Sequence, residues 1–192
     1  MANEYYKSFP LLYKNIDSHA NEIGDYIDNR RKRINKSLKT RWNKFNTLCM
    51  GGIESNSIYT IAGISGSGKS SFINSLESDL FELNKDVDFV VLNFTFEMMG
   101  SRNVGRKLSY KLKKTTSELY SGGDKPLAEQ DYVNVQSELN KIKQLPIYYV
   151  DTPGTVPQIR DTIMKFSERE GRNRWMIIIY YSNWLKLSYI IF

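Results

Sequence analysis

The sequence predicts an α/β fold in which a mostly parallel β-sheet is flanked by helices. Three observations carry that expectation. A short β-rich run, Ile58–Ile61, leads into a glycine-rich loop and then into a helix-forming stretch. Val87–Phe96 is a nearly continuous apolar, β-branched and aromatic run, the texture of a central parallel strand covered on both faces. Strand-like and helix-like segments then alternate as far as Trp175–Tyr181, the order expected when crossover helices link parallel strands.

The elements follow in chain order. Residues 1–37 read as an N-terminal helical linker, because Ile16, Ile23, Tyr26, Ile27 and Ile34 recur at roughly helical spacing. Within it, Arg30–Arg33 is a dense basic run. It fits either a solvated helix end or a segment that docks on a neighbouring subunit near nucleic acid. A single domain is expected over residues 38–192. Thr40–Leu48 leads to a Gly51–Gly52 turn and then the first strand.

Gly63-Ile-Ser-Gly-Ser-Gly-Lys-Ser70 fits the pattern G-x-x-x-x-G-K-[ST] at each fixed position. Glycines at 63, 66 and 68 let the backbone curl so that successive N–H groups point inward at phosphate oxygens, helped by the positive end of the following helix. Gly63, Ser65, Gly66, Ser67, Gly68, Lys69, Ser70 and Ser71 are therefore the expected nucleotide-binding residues. Lys69 is expected to reach the β- and γ-phosphates, and the Ser70 hydroxyl to ligate Mg²⁺. The bland alternative, a Gly/Ser-rich turn, does not need a strand before it and a helix after it. The next helix should bury Leu76, Leu80 and Leu83, which share one face.

The second strand ends on Glu97, at the carboxyl end where open α/β sheets bind ligands. Glu97 could polarise the water that attacks a γ-phosphate, and a solvated acid at a strand end is the bland reading. A basic helical stretch follows over about 102–119, carrying Arg102, Arg106, Lys107, Lys111, Lys113 and Lys114. It reads as a solvated basic face or as a peripheral DNA or subunit contact. Pro126 begins a helix whose Leu127, Tyr132, Val135, Leu139 and Ile142 can face inward. Leu145–Val150 is a third strand capped by Asp151-Thr-Pro-Gly154. A helix follows from about Pro157 to Glu170, with Ile159, Ile163 and Phe166 inward, and then the fourth strand, Trp175–Tyr181.

Composition narrows the classes further. Hydrophobic residues make up 41% and charged residues 25% of the 192, ordinary for a globular domain. A net charge of +6 hints at a polyanionic partner. Cys49 stands alone, which excludes an intramolecular disulfide, and there is no Cys/His cluster for zinc. The single histidine, His19, lies far from the loop. With no basic-then-apolar leader, and with Ser182, Asn183, Lys186 and Ser188 breaking the apolar run at 175–192, a cytoplasmic protein without a membrane span is expected, in a bacterium or a phage-infected host. That last run is expected to be a buried strand.

Thr40–Gly52, Ile58–Phe72, Phe94-Thr-Phe-Glu-Met98, Leu145–Ile159 and Trp175–Leu187, in this order and spacing, resemble the RecA-like P-loop ATPase domain of DnaB-type replicative DNA helicases of the phage-like kind. The resemblance spans about residues 36–187. It implies ATP and Mg²⁺ as cofactors, with Lys69 and Glu97 catalytic, Ser70 the metal contact and Asp151 mostly a structural strand-end residue. It also implies a homo-oligomeric ring (a hexamer) on single-stranded DNA during replication, with primase or loader proteins as further partners. Two departures stand out. Tyr180 occupies the position where the family's fourth strand ends in a metal-holding acid, and a phenol is neutral at pH 7. The chain also reads as truncated, with a sheet incomplete at the C-terminus. Alternatives stay open: an ATP-binding but hydrolysis-deficient module, a RecA-like recombinase or loader ATPase, or a P-loop GTPase with Asp151–Gly154 as its D-x-x-G. No Asn-Lys-x-Asp guanine-reading motif supports the last.

Overall fold

The computed structural model describes residues 13–96, 98–171, 175–181 and 187–191. Glu97, the expected catalytic carboxylate, and Asn183 lie outside the described residues. The chain forms two compact units, Met1–Lys36 and Ser37–Phe192.

The first unit holds helix α1 (Ile16–Arg31). Asn15 caps it by accepting a hydrogen bond from the Ser18 backbone N–H, at 3.0 Å. Asp17 in its first turn and Arg30 and Arg31 in its last suit the helix dipole. Part of the basic run is locally paired: Asp28 accepts from Lys32 and Arg31, and these bonds hold its carboxyl below the usual range. α1 buries none of its residues within this unit.

The second unit begins with a clasp in which Leu38 and Ile53 exchange backbone hydrogen bonds of 2.8 Å each. Gly52 has no substitute there, because a Cβ would stand 2.1 Å from the Leu38 carbonyl oxygen. Between these residues lies the short helix α2 (Asn43–Leu48). Strand β1 (Ile58–Ala62) then feeds α3 (Lys69–Leu83) and β2 (Val90–Phe94). Next come α4 (Gly100–Leu112), α5 (Thr116–Leu119), α6 (Glu129–Ile142), β3 (Ile147–Val150), α7 (Val156–Glu170), β4 (Trp175–Tyr181) and β5 (Leu187–Ile191).

The strands form one sheet in the order β1-β5-β4-β2-β3. β2 pairs in parallel with β3 and β4, whereas β5 runs antiparallel to both β4 and β1. Hence β1 to β4 share one direction, as expected, and only β5 opposes them. The expected fourth strand is present over Trp175–Tyr181, but the apolar run to 191 is two strands rather than one. Polar Ser182, Asn183 and Lys186 interrupt it in sequence, and the apolar segment beyond them pairs back along β4 and fills the place between β4 and β1.

All five residues of β2 are buried, because helices cover both its faces. Phe89 and Val91, with Met176 and Ile178 of β4, pack on Ile73, Leu76 and Leu80 of α3. Val90, Leu92, Phe94 and Ile177 point the other way, onto Phe166, Ile159 and Ile163 of α7. Leu83 departs from the expected stripe at 44% exposure, and Ile73 takes the third apolar place. The basic stretch at 102–119 is two helices, because Lys113 turns left-handed (φ 53°) and Thr115 and Glu118 form a capping box that starts α5. α6 buries no residue, so its inward face is only partly covered.

A polar knot sits under α3. The Glu77 carboxylate accepts from Lys107 of α4, from Asn93 Nδ2 of β2, and from the Tyr149 hydroxyl of β3 at 3.3 Å. Lys107 is 2% exposed and Glu77 1%, so the pair is fully withdrawn from water. Asn93 and Tyr149 stand directly opposite in the ladder, which places both donors on one face of the sheet. Removing one partner strands a buried charge, a loss of about 3–5 kcal/mol. Lys107→Met should therefore lower unfolding stability by about 3 kcal/mol in urea titrations, and the double variant Glu77→Leu/Lys107→Met should cost less than that. A single variant as stable as the parent would show that the pair is not buried as a charged unit.

Candidate nucleotide site

β1 delivers the chain into the loop at its carboxyl end, and α3 begins as the loop ends. Gly68 caps α3 at φ 89° and Gly66 adopts φ 80°, left-handed conformations that a Cβ disfavours. Gly63 is required for another reason, since a Cβ there would lie 2.5 Å from Ser67 Oγ. Lys69 Nζ donates to the carbonyl oxygens of Gly63, at 2.6 Å, and Ile64, at 2.9 Å, so the lysine closes the loop on itself. Lys69, Ser70 and Ser71 form the first turn of α3, whose leading N–H groups have no intrahelical acceptors. Residues 62–68 are exposed. A helix N-terminus, a lysine and hydroxyls gathered at an open loop fit a polyphosphate with its magnesium ion.

A second helix N-terminus lies beside this one. Asn74, one turn into α3, donates through Nδ2 to the Ser70 carbonyl oxygen at 3.0 Å and to Asn103 Oδ1 of α4 at 3.1 Å. Asn74 and Asn103 are 6% and 2% exposed. The phosphate loop and the segment that joins β2 to α4, residues 95–99, are thus tied one turn below their respective helix starts. Neither asparagine is a motif residue. The signal in sequence was polarity at 74 and 77 on the otherwise apolar stripe of α3.

Asp151 lies at the end of β3. Its Oδ1 accepts from Thr95 Oγ1 at 2.6 Å and from the Gly100 backbone N–H at 2.8 Å. Gly100 starts α4 hard against β3, where a Cβ would come 2.9 Å from the Tyr149 ring.

The basic helix is less available to a polyanion than its sequence suggests. Lys107 is spent on Glu77, Lys111 pairs with Glu82, and Lys114 meets Asp131 at 3.0 Å. Arg102 lies over the Tyr120 ring, 5.2 Å from its centroid.

The family model for the DnaB-like helicase C terminal domain matches residues 37–188. The chain belongs to that family. Among solved structures, the DnaB-like fold is similar to the ATPase domain of a DnaB-like phage protein. The TM-score is 0.57 and the identity 16%, over 89% of this chain and 58% of that one. At such identity the likeness concerns the fold, and this chain spans less than two-thirds of that domain's length. No curated protein matches the chain.

Within the DnaB-like sheet, β1 and β3 are the two opposite edges. Four strand steps separate them, about 19 Å at roughly 4.8 Å each. Asp151 therefore stands across the sheet from the loop, with its Oδ1 engaged by Thr95 and Gly100, and cannot serve as the Mg²⁺ ligand of a GTPase-type D-x-x-G. The GTPase reading falls on this geometry.

Gly68→Ala would force a Cβ into the left-handed region at a cost of roughly 1–2 kcal/mol. We expect it to weaken MgATP binding about tenfold in calorimetric titration, the equivalent of about 1.4 kcal/mol, with the far-UV spectrum unchanged. Unchanged affinity would mean that the loop holds no phosphate in this conformation.

Proposed function

We propose that this chain is an ATP-hydrolysing helicase motor domain, which binds MgATP at Gly63–Ser71 and acts on single-stranded DNA as part of a homo-hexameric ring. The observation that carries the reading is the Asn74–Asn103 hydrogen bond, which sets the phosphate loop and the start of α4 side by side. Bound ATP supplies the phosphoanhydride whose cleavage drives movement. Lys69 exchanges its loop carbonyls for phosphate oxygens, and the N-terminal N–H groups of α3 hold the same charge. Ser70 offers its hydroxyl to magnesium. Among the described residues no group of three His, Cys, Asp or Glu could form a metal cage, and magnesium at nucleotide sites takes one or two protein oxygens with phosphates and water. Glu97 orients the attacking water and accepts its proton.

A second reading has an observation of its own. β5 and β4 both lie between β1 and β2, so the strand that feeds the loop and the strand that leads to Glu97 are three steps apart. Tyr180 also stands where an acid would assist the metal. These favour a module that binds ATP without turning it over.

Turnover by the purified chain, with and without single-stranded DNA and beside Lys69→Ala, separates the two. The motor reading expects DNA-stimulated phosphate release that Lys69→Ala abolishes. Binding of MgATP with no release above the Lys69→Ala level would overturn it in favour of the second.

A further inference from the structure

Asp151 is the one carboxylate of the Asp-Thr-Pro-Gly turn, and nothing in phosphate chemistry requires it at the far edge of the sheet. Its surroundings supply another task. On the α3 face of the sheet, Val91 stands opposite Ile147 and Asn93 opposite Tyr149. One step further, beyond the last ladder pair, Thr95 and Asp151 extend the same row, with the Thr95 N–H on the Val150 carbonyl oxygen at 2.9 Å. There the backbone of β2 leaves the sheet, and it returns as α4 at Gly100. A single oxygen, Asp151 Oδ1, receives a hydrogen bond from each end of that excursion, the Thr95 hydroxyl and the Gly100 amide. The second bond also gives α4 an acidic partner at its N-terminus, where Met99, the cap residue, offers no side-chain hydrogen bond.

We propose that Asp151 is a positioning residue, a clamp that fixes both ends of segment 95–100 and so sets where Glu97, between them in sequence, meets the nucleotide. The role of Glu97 rests on the proposed function above, whereas the clamp rests on Thr95, Gly100 and Asp151 alone. One oxygen serves both donors, so the clamp needs an acceptor at that position rather than a negative charge. Asn, with its own Oδ1, preserves the acceptor. Ala removes it. Thr95 is 2% exposed, and Thr95→Val deletes one of the two donors at nearly constant shape.

Two measurements on the full chain test this. The first is amide hydrogen exchange at Gly100 in the free protein, with β2 amides as the reference for global opening. Asp151→Ala should raise Gly100 exchange at least about tenfold relative to β2. Asp151→Asn should stay within about threefold of the parent, and Thr95→Val should fall between. The second is ATP turnover beside MgATP affinity. Asp151→Ala should lower kcat at least about tenfold with the dissociation constant within about twofold, and Asp151→Asn should recover most of kcat.

Gly100 exchange that Asp151→Ala leaves unchanged overturns the clamp. Faster exchange with an unchanged kcat overturns its positioning role. A variant that unfolds raises β2 exchange as well, and Thr95→Val then decides, since it must still loosen Gly100 relative to β2. A parent chain that binds ATP without turnover sinks the Glu97 reading instead, and Gly100 exchange then decides the clamp by itself.

Discussion

The withdrawal of Glu77 and Lys107 from water is the constraint on which the rest of this structure depends. A carboxylate at that depth is tolerable only if most of its lone pairs are met. The partners that meet them come from three different elements: α4, β2 and β3. Satisfying one side chain therefore fixes the helix that carries the phosphate loop against the strand that leads to Glu97, and against the strand that ends in Asp151. Apolar packing of Ile73, Leu76 and Leu80 brings α3 onto the sheet, yet a greasy stripe alone could slide or rotate. The knot sets its register.

Above the knot, polar contacts continue toward the carboxyl ends of the strands in two short chains. One runs from Ser70 through Asn74 to Asn103 and joins two helix starts. The other runs from Thr95 through Asp151 to Gly100 and defines how β2 becomes α4. Both are paired side-chain contacts between elements far apart in sequence, and both lie beside the loop whose backbone amides and Lys69 gather positive potential. Much of the chain's remaining basic character is spent elsewhere: on Glu77, Glu82 and Asp131 within the fold, and on Asp28 in the N-terminal unit. A DNA contact by this family member has to be sought away from most of α4.

The fold was legible because its strongest signals are local and repetitive. A loop that requires glycine at three positions, a fully apolar β2 and a fourth strand over Trp175–Tyr181 each read out from neighbouring residues. Four site features stayed hidden for one shared reason. Asn74, Asn103, Thr95 and Gly100 are ordinary residues whose meaning lies in partners 29 to 56 positions away, and spacing along the chain does not encode those pairings. Leu83 misled because it has the right period but lies at the last turn, past the edge of the sheet's cover. β5 was hidden by continuity of apolar residues, since a long greasy run looks like one strand until its polar interruptions are read as a reversal. Asp151 drew two motif readings, and only its place at the opposite sheet edge from β1 decides between them.

The central claim is that the loop at Gly63–Ser71 and the acid at 97 form one hydrolytic site. Its most direct test is a paired measurement on Glu97→Gln: equilibrium MgATP affinity and single-turnover hydrolysis. The account predicts affinity within about twofold of the parent and hydrolysis slowed at least about 100-fold, the scale of a lost general base. Hydrolysis at the parental rate in Glu97→Gln would contradict it and remove residue 97 from the chemistry.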